Sequence, residues 1–267
     1  MKTVLWAIQS ICPPQDAQQL MTACTALGIE TCIIKSSAVG ELPNVATNRP
    51  VLFYGSCRFI RKIVASGRWH PGAYYDDRNF RFSESLRHWG ARMLNREAVF
   101  LLLGEFSAAR FAASPKIFVR PDRDLKELSG CVWPVSDFAE YVDKLRAAGN
   151  RTALDMLIVV APTRQIDSEW RLHVIDGKVS TGSRYELFGD LDYSTELPDT
   201  LCQFAEETAK IWSPARAFVM DLAMVGDTPM VLEFNGINSA GFYHSDVKRV
   251  VADIVKGIPS LSTSLTR

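Results

Sequence analysis

Two carboxylates and an amide near the C-terminus are the side chains of this sequence best suited to chemistry. Asp221 lies in an apolar run at residues 218–225, and Glu233 and Asn235 interrupt a second apolar run at residues 229–235. A Gly-Asp-Thr turn separates the runs, so they are expected to pair as a hairpin. The register that matches apolar with apolar residues sets Asp221 directly opposite Glu233. Its apolar pairs are Met220 with Phe234, Leu222 with Leu232 and Met224 with Met230.

Carboxylates that face each other across neighbouring strands destabilise a sheet unless something compensates their charge. Three explanations are open: one carboxyl is protonated, a basic residue lies between them, or a divalent cation binds both. We favour the cation, because Asn235 supplies a third oxygen and Mg²⁺ prefers carboxylate, amide and phosphate oxygens. The sequence therefore predicts a Mg²⁺ site at Asp221, Glu233 and Asn235.

An earlier hairpin carries charged side chains on one face. A two-residue Asp-Gly turn at 176–177 joins its strands. Pairing from that turn predicts a polar face with Glu169 opposite Arg184 and with Arg171 and His173 beside them, because side chains alternate along a strand. The hairpin alone favours a solvated face with a cross-strand ion pair, and the alternative is a ligand-binding floor. The predicted apolar pairs are Val174 with Val179, Leu172 with Thr181 and Trp170 with Ser183.

The first 66 residues alternate strand and helix signals. One helix is predicted from Ala17 to a stop at Gly28, and another begins after Gly55-Ser56. This alternation indicates a small α/β layer of the Rossmann-like kind. Its strands are predicted at residues 4–8, 31–34 and 51–54.

From residue 98 onward the pattern is typical of an α+β fold. One helix is predicted from a cap at Asp137 to Gly149, and two more at about 199–211 and 245–255. The fold class is therefore α+β combined with α/β. The predicted strands outside the two hairpins are residues 99–103, 116–120 and 157–161.

Composition argues against several classes of partner. The 30 basic residues balance 30 acidic ones, so no overall field attracts nucleic acid or an anionic membrane. The aromatic and basic stretch 68–95 also contains acidic residues, so a packed linker is favoured over a nucleic-acid surface. The apolar runs are far shorter than the roughly 20 residues of a membrane span. Six cysteines without metal-ligand spacing favour reduced thiols in a cytoplasmic protein.

The strand with Asp221 followed by Glu-Phe-Asn on the next strand resembles the metal-binding signature of the ATP-grasp superfamily. Residues 117–130 resemble the strand and mobile loop that close over phosphates in that fold. Residues 157–162 resemble its hinge strand, and residues 169–185 resemble the hairpin that follows. The combination is similar to the ATP-grasp clade named for two arginines and one lysine. The resemblance covers residues 98–256 and implies a Rossmann-like pre-ATP-grasp domain with its linker at residues 1–95 and an ATP-grasp domain at 96–267.

The resemblance implies ATP and Mg²⁺ as cofactors and assigns a role to each matching residue. Asp221, Glu233 and Asn235 would hold one or two Mg²⁺ ions that bridge the phosphates. Arg120 stands where many relatives have a phosphate-binding lysine, and it would act as a planar clamp. The remaining implied roles are Lys126 on the loop that covers the nucleotide, the backbone of Val159, Val160 and Ala161 at adenine, Glu169 at the ribose or metal, and Arg171 and Arg184 at the γ-phosphate or an acylphosphate.

The implied activity is an ATP-dependent carboxylate–amine ligase that works through an acylphosphate, with amino-acid, peptide or other small-molecule substrates. A small-molecule kinase on the same fold and a non-catalytic nucleotide-binding module are the alternatives. His173 and His244 are candidate proton shuttles, and the loop 238–244 is the candidate contact for the acceptor. No serine or cysteine nucleophile is expected, because phosphoryl transfer depends on positioning and charge neutralisation.

Overall fold

The computed structural model describes residues 4–10, 14–35, 41–123, 128 and 130–258. Within these residues the chain forms three β-sheets with α-helices packed between and around them. None of the described helices has the length and apolar composition needed to cross a bilayer.

The N-terminal layer is a parallel sheet in the order β2-β1-β3-β4. The α2 helix begins after Ser56, whose hydroxyl accepts a hydrogen bond from Phe59 N at 3.3 Å, a typical N-cap. The strands and helices predicted in this part of the chain are all present. Their bounds are β1 (Leu5–Gln9), α1 (Pro14–Ala26), β2 (Glu30–Ile34), β3 (Val51–Tyr54), α2 (Cys57–Ser66), β4 (Pro71–Gly72) and, in the following segment, α3 (Phe82–Trp89).

A small antiparallel sheet follows in the order β5-β8-β6-β7. Phe138 and Val142 of the helix α4 pack into its core beside Val119. The expected cap at Asp137 is wrong, because the helix starts after Pro134 and Asp137 lies in its first turn. The elements are β5 (Val99–Leu102), β6 (Lys116–Pro121), β7 (Cys131–Pro134), α4 (Val135–Ala147), α5 (Arg151–Leu154) and β8 (Leu157–Pro162).

A larger antiparallel sheet, in the order β11-β10-β9-β12-β13, forms the centre of the molecule. One face packs Trp170 and Leu172 against the helix α6. The other face packs Val219 against the N-terminal layer and the helix α7. The elements are β9 (Ser168–Ile175), β10 (Lys178–Leu187), β11 (Asp190–Ser194), α6 (Asp199–Ile211), β12 (Ala217–Val225), β13 (Thr228–Gly236) and α7 (Val247–Lys256).

The register of β12 and β13 is as predicted at the pair of facing carboxylates. Asp221 lies directly opposite Glu233. A bulge next to this pair shifts the rest of the hairpin by one residue, so Leu222 faces Val231 and Met224 faces Pro229. The predicted partners Leu232 and Met230 are therefore wrong.

The register of β9 and β10 is as predicted only near the turn. After Val179 a bulge at Ser180 shifts the pairing, so Leu172 faces Gly182 and Arg184 faces Trp170. A side chain at Gly182 would have its Cβ 2.8 Å from the Arg171 carbonyl oxygen, so the close approach of these strands requires glycine. The expected pairing of Glu169 with Arg184 is wrong.

Candidate functional site

A cavity of about 650 Å³ lies between the small and the large antiparallel sheets. Arginines line the side formed by β6 and the loop after it, and carboxylates line the side formed by β9 and β13. The loop that follows β13 forms one wall. The residues that line the cavity include Phe118, Arg120, Arg123, Pro162, Thr163, Arg164, Glu169, Arg171, Tyr185, Glu233, Asn235, Ser239, Ala240 and Gly241.

Asp221 and Glu233 are compensated by basic residues. Arg171 donates from Nε to Asp221 Oδ1 at 2.8 Å and from Nη2 to Oδ2 at 2.7 Å. Arg120 Nη1 donates to Glu233 Oε2 at 3.2 Å, and Asn235 Nδ2 donates to Oε1 at 2.9 Å. Each carboxylate thus has an arginine of its own, none of the described contacts joins one arginine to both, and the Mg²⁺ assignment stays a prediction.

The two facing carboxyls have opposite pKa shifts. Burial raises the pKa of Asp221 to about 6, against the opposing effect of Arg171. Burial acts in the same direction on Glu233, but Arg120, Asn235 and Arg171 outweigh it and hold its pKa below the ordinary value. The two carboxyls also hydrogen-bond to each other, so they form a coupled pair in which Asp221 holds a proton more readily than Glu233 does.

Glu169 also lines the cavity, and its carboxylate is held by a hydroxyl rather than by an arginine. Tyr185 Oη donates to Glu169 Oε2 at 2.5 Å. Burial raises the pKa of Glu169 to about 7, with further contributions from the charges of Asp221 and Glu233 and with the Tyr185 bond opposing. Glu169 therefore changes protonation state near neutral pH.

Arg171 has contacts beyond Asp221. Its Nη1 donates to the Gly241 carbonyl at 3.3 Å, and its guanidinium carbon lies 4.6 Å from the ring centroid of Tyr243. Tyr243 stacks on Tyr185 at 4.8 Å. Burial lowers the pKa of Arg171, but the Asp221 carboxylate outweighs this effect and holds that pKa above its ordinary value. The arginine is thus a permanent cation within the site.

The N-terminal layer anchors the wall formed by the loop after β13. Asn238 Nδ2 donates to the Phe53 carbonyl at 2.7 Å, and its Oδ1 accepts from Tyr74 N at 2.8 Å. The Asn238 carbonyl accepts from Gly55 N at 2.9 Å. Sequence reasoning missed this role, since only the three-dimensional contact of distant segments reveals it.

Arg184 does not reach the cavity, contrary to its predicted place beside Arg171. It pairs with Asp192, and its guanidinium carbon lies 5.5 Å from the ring centroid of Trp170. The bulge at Ser180 is the cause, because a shift of one residue turns a side chain to the other face of the sheet. We therefore leave Arg184 out of the site.

The three residues expected to contact adenine do not line the cavity. Val159, Val160 and Ala161 are buried inside the small sheet, and the residues that line the cavity are Pro162, Thr163 and Arg164. Val159 and Val160 pair with strands on both sides, so their backbone groups are engaged within the sheet. The assignment of adenine contacts to residues 159–161 stays a prediction, and residues 162–164 are the part of this segment that lines the cavity.

Lys126 lies outside the described residues. Arg123 and Arg164 line the cavity, and sequence reasoning did not propose them. Arg164 pairs with Glu97 at 2.5 Å. The Arg-Pro-Asp-Arg spacing places Arg123 three residues after Arg120, and this is a signal by which the sequence could have indicated it.

The two candidate proton shuttles lie outside the cavity lining. His173 is fully buried and stacks on Phe242 at 5.7 Å, and burial together with the Arg171 charge lowers its pKa to about 3. His173 is therefore neutral at physiological pH and packs in the core. The ring of His244 lies 4.2 Å from that of Tyr193.

The donor set suits a magnesium ion bound together with phosphates. Among residues whose placement is described, no group of three or more His, Cys, Asp or Glu side chains has metal-ligating geometry. Asp221, Glu233 and the Asn235 amide nevertheless supply oxygen ligands on one sheet face, and Mg²⁺ completes such sets with water and phosphate oxygens. The residues present therefore fit the ion.

Two antiparallel sheets around a cavity of opposed arginines and carboxylates define the class of fold, which is ATP-grasp. Residues 95–252 match a family model described as "ATP-grasp domain, R2K clade family 2", and the chain belongs to this family. No curated protein matches the sequence.

Solved structures of ATP-grasp ligases are similar in fold. D-cycloserine synthetase DcsG is 16% identical with a TM-score of 0.64, over 96% of this chain and 100% of that chain. D-alanine–D-alanine ligase from Bacillus anthracis is 12% identical with a TM-score of 0.62, over 95% of this chain and 96% of that chain. The ATP-grasp ligase PsnB, solved with a minimal precursor, is 16% identical with a TM-score of 0.61, over 97% of this chain and 100% of that chain.

Proposed function

We propose that this protein is an ATP- and Mg²⁺-dependent ligase that joins a carboxylate to an amine through an acylphosphate. The observation that carries the proposal is the convergence of Arg120, Arg171, Glu233 and Asn235 on one cavity between the two antiparallel sheets. Such a cavity offers cations to phosphates and oxygen ligands to a metal ion. Membership in an ATP-grasp family supports ATP as the nucleotide.

The nucleotide would lie along the cavity with its phosphates at the arginine wall. Arg120 and Arg123 would bind the phosphates from the side of the small sheet. Residues 162–164 contact the base. When bound to Asp221, Glu233 and Asn235, Mg²⁺ neutralises phosphate charge and fixes the phosphate geometry.

The chemistry takes place in two displacements. A carboxylate oxygen of the first substrate attacks the γ-phosphorus, the bond to ADP breaks, and Arg171 stabilises the transferred phosphoryl group. The amine nitrogen of the second substrate then attacks the acyl carbon, phosphate leaves with its electron pair, and the nitrogen loses a proton. Glu169 is the proton acceptor in this proposal, since its pKa of about 7 suits the task.

Substrate class and domain roles belong to the same proposal. We expect amino acids, peptides or other small molecules, because ligases of this fold are named for a dipeptide product or crystallised with a precursor. Residues 1–95, whose sheet is parallel, would form the Rossmann-like pre-ATP-grasp domain, and residues 96–267 the ATP-grasp domain. We propose a cytoplasmic location, where ATP is available.

An ATP-consumption screen with pooled amino acids and peptides, read by mass spectrometry, tests this function. A ligase gives ADP, free phosphate and a new amide. A phosphorylated acceptor without free phosphate would point to the kinase alternative. Absence of ATP binding with Mg²⁺ present would refute the proposal in every form.

A further inference from the structure

Both oxygens of Asp221 are already held by a cation of the protein. Arg171 reaches Oδ1 at 2.8 Å and Oδ2 at 2.7 Å, and the Asp221 side chain is 1% exposed. A forked guanidinium–carboxylate contact is among the strongest ion pairs in proteins. An incoming metal ion therefore meets an occupied ligand with a like charge beside it.

Glu233 presents a different situation. Its contact with Arg120 is a single bond of 3.2 Å, and its side chain is 35% exposed. The second oxygen accepts from the neutral amide of Asn235. One half of the metal site is thus open to the cavity and the other half is closed by Arg171.

Arg171 contacts further partners on its cavity side while it is paired with Asp221. The Gly241 carbonyl lies 3.3 Å from Nη1, and the rings of Tyr243 and Tyr185 lie 4.6 and 6.0 Å from the guanidinium carbon. Carbonyl and aromatic contacts stabilise a guanidinium that has left its carboxylate. The guanidinium fork also matches a phosphate group.

We infer that Arg171 competes with metal for Asp221 and so makes the site select a metal–nucleotide complex over the free ion. The phosphates draw the guanidinium away from Asp221, and the metal takes the carboxylate that is released. Metal and nucleotide then bind with positive coupling, because each removes the obstacle to the other. The inference rests on the proposed ATP and Mg²⁺ site and adds how that site is loaded.

Titrations with Mn²⁺ alone, followed by electron paramagnetic resonance, test the competition directly. Wild type is expected to bind free Mn²⁺ weakly. Arg171→Met is expected to bind it about tenfold more tightly or better, within the usual range of coupling between ligands. Arg184→Met is the matched control, since it removes an arginine from the opposite face of the same hairpin, and it should behave as wild type.

A second titration, with a non-hydrolysable ATP analogue saturated with Mn²⁺, separates this inference from the proposed function. If wild type binds the complex but Arg171→Met binds free Mn²⁺ no more tightly than wild type does, the inference alone is overturned. Wild type that does not bind the complex overturns both. If Arg171→Met does not fold, Arg171→Gln decides, because glutamine removes the positive charge and keeps a hydrogen-bond donor. Unchanged free-Mn²⁺ affinity in that variant also overturns the inference.

Discussion

At the scale of single residues, two carboxylates that line the cavity, Glu169 and Glu233, and the buried Asp221 differ in what compensates them. Asp221 has a forked guanidinium, Glu233 has one arginine contact and an amide, and Glu169 has the Tyr185 hydroxyl. A hydroxyl compensates a charge less well than a guanidinium does. Burial raises the pKa of Glu169 to about 7 against the bond from Tyr185, so its charge changes near neutral pH.

The ionisation of Glu169 should appear in the pH dependence of amide formation. As pH rises through about 7, Glu169 loses its proton and becomes able to accept one, so the rate should rise. Glu169→Gln should lower the rate by about 10²–10⁴-fold and remove this limb. Tyr185→Phe should move the limb to higher pH, because the Tyr185 bond lowers the pKa of Glu169.

Steady-state rates of amide formation, measured over about three pH units centred on the expected pKa of Glu169, test this prediction. Arg184→Met should keep the wild-type profile. A rising limb that persists unchanged in Glu169→Gln would assign the titration to another group.

The ion pair of Asp221 should also be visible in stability. Arg171→Met leaves a buried charge without its partner and should lower the free energy of unfolding by about 3–5 kcal/mol. The double variant Arg171→Met/Asp221→Leu should recover most of that loss, because it removes both charges. Urea denaturation at pH 7 measures both, and equal stability of the single variant and wild type would contradict the role of the pair.

At the scale of elements, β-bulges decide which face each side chain occupies. Matching apolar residues predicted the facing of Asp221 and Glu233, because that part of the hairpin follows strict alternation. The same rule failed for Arg184, since the bulge at Ser180 adds a residue that the alternating pattern does not record. A local period of two predicts faces only up to the first bulge.

Gly182 marks the place where β9 and β10 approach closely after that bulge. Gly182→Ala would set a Cβ 2.8 Å from the Arg171 carbonyl oxygen and 3.1 Å from Leu172 Cγ. The strands must move apart, so the variant should lose about 1–3 kcal/mol in free energy of unfolding. Chemical denaturation checks this, and unchanged stability would mean that the strands yield without cost.

At the scale of the whole molecule, contacts between distant segments complete the site. The helices and strands of the N-terminal layer were predictable, because hydrophobic periodicity is a local property. The anchoring of the cavity wall by Asn238 was not, since its partners Phe53 and Tyr74 lie far away in sequence. The ATP-grasp fold was predictable because Asp221, Glu233 and Asn235, on which the resemblance depends, lie close together in sequence.

Loss of the Asn238 side chain should therefore act on stability and on the site together. Asn238→Ala leaves the Phe53 carbonyl and Tyr74 N–H without partners and should cost about 1–3 kcal/mol of unfolding free energy. Affinity for a Mg²⁺–ATP analogue should fall, because the wall from Ser239 to Gly241 loses its anchor. Asn79→Ala is the control, since it loses one bond to the Pro214 carbonyl and should keep wild-type affinity. Equal nucleotide affinity in both variants would show that anchoring by the N-terminal layer does not contribute to nucleotide binding.

The central claim is that the cavity between the two antiparallel sheets binds ATP with Mg²⁺. Isothermal titration calorimetry with a non-hydrolysable ATP analogue and Mg²⁺ tests it on wild type, Glu233→Ala and Arg184→Met. We predict binding to wild type and to Arg184→Met, and an affinity roughly 30-fold lower or worse for Glu233→Ala, since the charged metal ligand that is open to the cavity is lost. Wild type that does not bind, or Glu233→Ala that binds as wild type does, would contradict the account.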